Sequence, residues 1–202
     1  MTAIFIRIVL YSLWAVVAAE VALFEARNVT WQDPFSELAY VEVLQTVLLA
    51  ACAALLLLLS RLRPQQAQLA LCGMLGFSIL FVRENDQVLE LFLPHGAWKW
   101  LALVLAGGLG WLFFRNRKVI VEQARSLSSS PAFGVYLAAL TTLVFSRLIG
   151  RRVFWESVMG DHYLRLVKNA AEEGVELFAL GLFLAATVEW FLMARRSETR
   201  QV

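Results

Sequence analysis

Apolar side chains run along this chain in long, nearly unbroken stretches that neither alternate residue by residue nor keep to a single helical stripe. Six segments stand out, at about 3–24, 36–61, 66–93, 97–114, 131–152 and 166–194. A bilayer's hydrocarbon layer takes about 20 helical residues per crossing, so each is long enough to traverse one. The pattern predicts an all-α integral membrane protein, a compact bundle of six transmembrane helices forming a single domain over residues 1–202.

The punctuation between segments agrees. Asp33-Pro34 and Ser130-Pro131 each set a capping side chain before a proline at the first helical position, where the missing N–H has no intrahelical partner to lose. Pro64 and Pro94-His95-Gly96 mark tight connections, and residues 115–130 read as the longest polar loop. The first segment has only Arg7 for a basic region and no break after Ala18-Ala19, which predicts a retained helix rather than a cleaved leader.

Composition narrows the class. Of 202 residues, 60% are hydrophobic and 17% charged, against roughly 25% charged in soluble domains. Six crossings use up the length and leave none for a soluble catalytic domain. Cys52 and Cys72, the only cysteines, lie inside apolar runs, so neither a disulfide framework nor a thiolate metal site is offered.

Charge placement predicts orientation, because basic residues collect in cytoplasmic connections. With both termini cytoplasmic, the inner side holds Arg7, Arg61, Arg63, Arg115, Arg117, Lys118, Arg125, Arg195, Arg196 and Arg200 against Glu122, Glu189 and Glu198, so it is net positive. The outer side carries the remaining acids and is net negative. Trp31, Trp98, Trp100 and Trp155 then fall at the outer interface, and Trp111 and Trp190 near the inner one, as an aromatic belt requires. Compactness and short loops favour a bacterial cytoplasmic (inner) membrane.

Two stripes of small residues predict close helix packing. The fifth segment carries Gly134, Ala138, Thr142, Ser146 and Gly150, and the fourth Ala102, Ala106 and Gly110. They serve contacts within the bundle, or with a second copy or a partner membrane subunit. Apart from such partners and the membrane lipids themselves, the sequence points to no macromolecule. The basic residues are accounted for by insertion, and no nucleic-acid-binding pattern is present.

The candidate chemistry lies in charges set within apolar segments, since each costs at least about 2.5 kcal/mol in hydrocarbon and needs a partner or a purpose. At about 1.5 Å per residue, Glu20, Glu42, Arg83, Glu84, Arg147 and Glu176 reach one level in the outer third of the membrane. On a helix continuing through Arg83-Glu84-Asn85-Asp86-Gln87 to Glu90, Arg83, Asp86 and Glu90 share one face. Before the sixth helix, Asp161 with Arg165 and Lys168 with Glu172 are spaced to pair, and Glu176 extends that stripe inward.

The expected site is outward-facing and formed by Glu20, Glu42, Arg83, Glu84, Asp86, Arg147, Glu172, Glu173 and Glu176. Its leading function is binding, with transport as the fuller form, of a cation, a proton or a polar lipid head group. No cofactor is specified, although carboxylate oxygens suit a hard divalent cation. Two alternatives stay open: a membrane-embedded enzyme acting on a lipid or lipid-linked substrate at the outer leaflet, and a non-catalytic sensor or scaffold subunit. Against the enzyme stands the lack of a nucleophile signature, a phosphate-binding loop or paired metal histidines.

Overall fold

A computed structural model of the protein describes residues 2–28 and 39–196, and these contain helices and short connections but no strand. Their α-helices are α1 (Thr2–Asn28), α2 (Tyr40–Leu62), α3 (Ala67–Glu84), α4 (Asp86–Glu90), α5 (Ala97–Ser128), α6 (Pro131–Ile149), α7 (Arg152–Met159) and α8 (Arg165–Arg196). Six of them, α1, α2, α3, α5, α6 and α8, are long and apolar enough to cross a membrane. The expected cap at Asp33-Pro34, the belt residue Trp31 and the terminal Glu198 and Arg200 lie outside the described residues.

Three boundaries differ from the expected ones, each for a local reason. The third helix does not run to residue 93. It breaks at Asn85 (φ −105°, ψ 28°), whose Nδ2 donates to the carbonyl of Phe81 at 2.8 Å. The fourth does not end at 114 but continues to Ser128 past a kink at Asn116 (φ −116°, ψ 19°), whose Nδ2 donates to Leu112 O at 3.2 Å. Asparagine side chains compete in this way for the helix's own carbonyls and so mark the two interruptions. Residues 152–159, expected as connection or helix end, form the separate helix α7.

The chain divides into two compact units, Met1–Gln45 with Ala138–Leu182, and Thr46–Leu137 with Phe183–Val202. In the first, α1 turns Trp14, Ala18 and Glu25 inward, a spacing that keeps one helix face. The Trp14 indole donates to Phe178 O of α8 at 3.0 Å. It lies across Gly181, where a Cβ would overlap the ring, so a side chain is excluded there by contact rather than by backbone conformation.

In the second unit, α2 buries Leu48, Leu49, Cys52, Leu56 and Leu59. The α5 extension is held by Gln123, which is 6% exposed. Its Oε1 accepts from Leu69 N at 2.8 Å and its Nε2 donates to Gln65 O at 2.7 Å, satisfying backbone groups at the start of α3 that the helix cannot pair itself. Tyr136 OH and Thr187 Oγ1 are 2.8 Å apart, and Thr187 donates to Phe183 O. Phe183 packs edge-on against Phe77, and Trp190 against Tyr136. Trp190, 5% exposed, is thus a core residue.

The stripe expected on the fifth segment is not the face buried within this chain. Gly134 and Ala138 are exposed, Thr142 and Gly150 half-buried, and only Ser146 is buried. The buried face of α6 is Ala132, Ala139 and Ser146. A four-residue repeat drifts by about 40° per step around a helix, whereas a seven-residue repeat stays on one side, and the neighbouring helices contact the latter.

The Trp14 contact yields a test. Gly181→Ala should lower stability by about 1–3 kcal/mol through overpacking, measured as thermal unfolding in detergent. Combined with Trp14→Ala, the same change should cost distinctly less than the sum of the two single substitutions.

Candidate functional site

The charged residues of the first unit are organised by the N-terminal half of α8. Lys168, Glu172 and Glu176 recur every four residues and share a face. Lys168 Nζ lies 2.6 Å from Glu172 Oε2. Arg147 of α6 reaches the same stripe, with Nη1 donating to Glu172 Oε1 at 3.0 Å and Nη2 donating to Glu176 Oε1. Glu172 and Glu176 are 8% and 4% exposed, so a single guanidinium bridges two buried carboxylates one turn apart. The planar fork of arginine suits this sharing, which the point charge of lysine cannot reproduce.

The backbone accommodates the cluster. At Gly150, near the end of α6, a Cβ would overlap the Glu172 carboxylate, so the absence of a side chain lets the carboxylate lie against the helix. The helix dipole is not the reason for these acids, because the first turn of α8 contains none.

Glu173 projects to a different neighbour. Gln45 of α2 donates from Nε2 to Glu173 Oε2 at 3.0 Å and to Glu173 O at 3.2 Å. Gln45 is fully buried, and its Oε1 has no hydrogen-bond partner. At the start of α2, Glu25 of α1, also fully buried, accepts the Val41 N–H at 2.8 Å. It thereby supplies an acceptor to one of the N–H groups that a helix leaves unbonded at its first turn.

The structure therefore joins Arg147, Glu172 and Glu176 through direct ion pairs, with Lys168 added, and ties Glu173 to Gln45. Glu42 is half-buried, one position off the buried line Val41–Gln45–Leu48. Glu20 is corrected. It is exposed on α1, because the inward stripe through Trp14, Ala18 and Glu25 leaves it on another side of the helix. Gln45 and Glu25 did not figure in the sequence-based site. Their signal was available as polar residues falling on otherwise apolar seven-residue stripes.

Arg83, Glu84 and Asp86 belong to the second unit. Arg83 Nη2 is 3.9 Å from Glu84 Oε2, with the arginine side chain 44% exposed, an ion pair at the outer limit of contact. The break at Asn85 removes the single face expected for Arg83, Asp86 and Glu90. Instead, Asp86 opens α4 and Glu90 closes the following turn. Glu90 Oε1 accepts from Gly96 N at 3.0 Å and its Oε2 lies 2.8 Å from His95 Nδ1. The Gly96 N–H first, and the His95 ring second, hold the Glu90 carboxyl below its ordinary value of 4.5.

Among the described residues, no three His, Cys, Asp or Glu side chains are grouped as a metal ion would require. A divalent cation on carboxylates therefore finds no preformed set of ligands there. Arg147, engaged by two carboxylates, is also not free to grip a phosphate. The cluster gathers carboxylates and bases on one stretch of α8: Glu172 and Glu176 share Arg147, and Lys168 stands beside Glu172. Comparison of the chain with protein-family models, curated proteins and solved structures finds no match.

Two outcomes follow from this geometry. Arg147→Met should destabilise the folded protein by about 3–5 kcal/mol, since it leaves two buried carboxylates without their shared cation, and Arg147→Lys should restore only part of the loss in thermal unfolding. At the other location, the depressed Glu90 value means that its contribution to the turn is complete above pH 4.5 and lost as pH falls through the lower folded value. Hydrogen exchange at Gly96 N should accelerate on acidification in the wild type and be fast throughout in Glu90→Gln, after correction for the intrinsic pH dependence of exchange.

Proposed function

We infer that this chain is a polytopic membrane protein, both termini cytoplasmic, that binds and transports a proton or small cation at the carboxylate-rich half of α8. The observation that supports the reading is the gathering of Glu172, Glu173 and Glu176 with Arg147 and Lys168 on and against a partly buried apolar helix. Half of the most apolar window of α8 is buried, against none of that of α5. Ionisable groups within apolar spans are expensive to keep and by default mark an ion or proton pathway.

Of the ligand classes that the sequence admits, a head-group phosphate is the least favoured, because the guanidinium nearest the cluster is already shared by two carboxylates. A proton or a monovalent cation suits the carboxylates of Glu172, Glu173 and Glu176. The positive inner connections support the assigned orientation, and the short loops support a bacterial cytoplasmic membrane.

The reading is tested in proteoliposomes under an imposed pH or alkali-cation gradient, comparing wild type with Glu172→Gln and Glu176→Gln. Flux should fall by about tenfold or more, as expected when the charged groups of a pathway are removed, in protein that remains monodisperse. Equal flux together with equal proton and cation binding would overturn it.

A further inference from the structure

We propose that α7 (Arg152–Met159) is an interfacial anchor whose exposed apolar face is seated in the lipid of the bilayer, at the level where acyl chains meet head groups. This rests on the membrane-spanning reading of the long helices and is independent of transport. The sequence of α7 sets up two faces. At about 100° per residue, Val153, Phe154 and Val158 fall within an arc of about 140°, and Arg152, Trp155, Glu156 and Met159 occupy the other side. The structure keeps that division. Val153, Phe154 and Val158 are 72%, 46% and 64% exposed, while Trp155, Glu156 and Met159 are half-buried.

Contacts fix the rotation of α7 on the chain. The Trp155 indole donates to Ile149 O at 2.6 Å, filling one of the carbonyls that α6 leaves unpaired in its last turn. Arg152 Nε donates to Glu156 Oε1 at 2.6 Å, and the guanidinium lies 5.8 Å from the centre of the Tyr163 ring. The chain enters α7 through the extended Arg151 (φ −72°, ψ 127°) and leaves it at Gly160, whose φ of 54° suits glycine. The apolar arc is the side that none of these contacts uses.

What covers that arc follows from its neighbours in the chain. Helices α6 and α8 are long and apolar enough to cross a membrane, whereas α7, at about 12 Å, is not. Only residues 150–151 join it to α6 and residues 160–164 to α8, so it stays at the bilayer surface. There an apolar helix face enters the boundary between head groups and acyl chains by about 5–10 Å, with the charged side left in water. The flanking spans already hold α7 at the membrane, so a short helix suffices. Three side chains offer far less than the roughly 800 Å² per partner that a stable protein interface buries, which favours lipid over a second copy. With both termini cytoplasmic, the leaflet is the outer one.

The test photolabels the whole wild-type chain in vesicles of phosphatidylethanolamine and phosphatidylglycerol. The vesicles are doped with phospholipids carrying a carbene-generating diazirine either high on the acyl chain or at its methyl end, and adducts are mapped by mass spectrometry. The upper-chain probe should label Val153, Phe154 and Val158 in preference to Arg152 and Glu156. The methyl-end probe should label Leu140, an exposed residue midway along α6, in preference to α7. Val153→Asp combined with Val158→Asp should lose the Phe154 adducts and keep those at Leu140; should that variant fail to fold, the wild-type pattern decides alone. Label at Leu140 without preferential label on the α7 face, or Phe154 adducts unchanged in the folded double variant, would overturn the anchor and leave the membrane-spanning reading intact. Absence of adducts at Leu140 as well as on α7 would overturn both.

Discussion

A charge enclosed by apolar helices is stable only beside its counter-charge, and the sharing of Arg147 between Glu172 and Glu176 is where this chain meets that condition. Burying two carboxylates beside a guanidinium that is itself 38% exposed is unfavourable for each acid separately. It becomes tolerable when the fork of the arginine spans two turns of the facing helix. Once made, the contact ties α6 to α8 at a defined rotation and depth, because a shift of one turn would separate the guanidinium from one of its two carboxylates. The bare backbone at Gly150 belongs to the same arrangement, giving the Glu172 carboxylate room against α6.

Helix α8 recurs in the tertiary contacts of both units. In one, its Phe178 carbonyl takes the Trp14 indole N–H and its Glu173 takes the Gln45 amide. In the other, Thr187 meets Tyr136 and Phe183 meets Phe77. Polar positions on this helix thus meet side chains from different helices, and apolar ones fill the spaces between. Interhelical hydrogen bonds of this kind add orientation where apolar packing alone discriminates little between rotations of a helix. The same economy is visible at Gln123, whose single amide serves two backbone groups of another segment.

Much of this was legible from residue pattern. Each of the six long helices lies where a continuous apolar run predicts it, and the Lys168–Glu172 pair forms at its four-residue spacing. The break at Asn85 and the kink at Asn116 were not legible, since asparagine within a run of good helix formers is compatible with either a continuous or an interrupted helix. Which one results depends on whether the side chain turns back to its own carbonyls. That the small-residue stripe on α6 is not its buried face has a different origin. Small residues at every fourth position look like one surface in the sequence, but they wind around the helix.

The sequence by itself determined the class: segment length and apolarity leave helices of membrane-crossing length as the way to satisfy every backbone N–H and C=O. It also named most of the ionisable residues that need explaining. Only the tertiary structure decided which of them meet. Glu20 and Glu25 are equally acidic and five residues apart, yet one is exposed and the other fully buried. The reason is rotational: apolar residues surround these helices on nearly every side, so the sequence scarcely distinguishes the face that packs from the face that does not. That choice is made by a few long-range contacts, such as Trp14 on Gly181, Gln45 on Glu173 and Arg147 on α8, whose partners are too far apart in the chain for any local pattern to pair them.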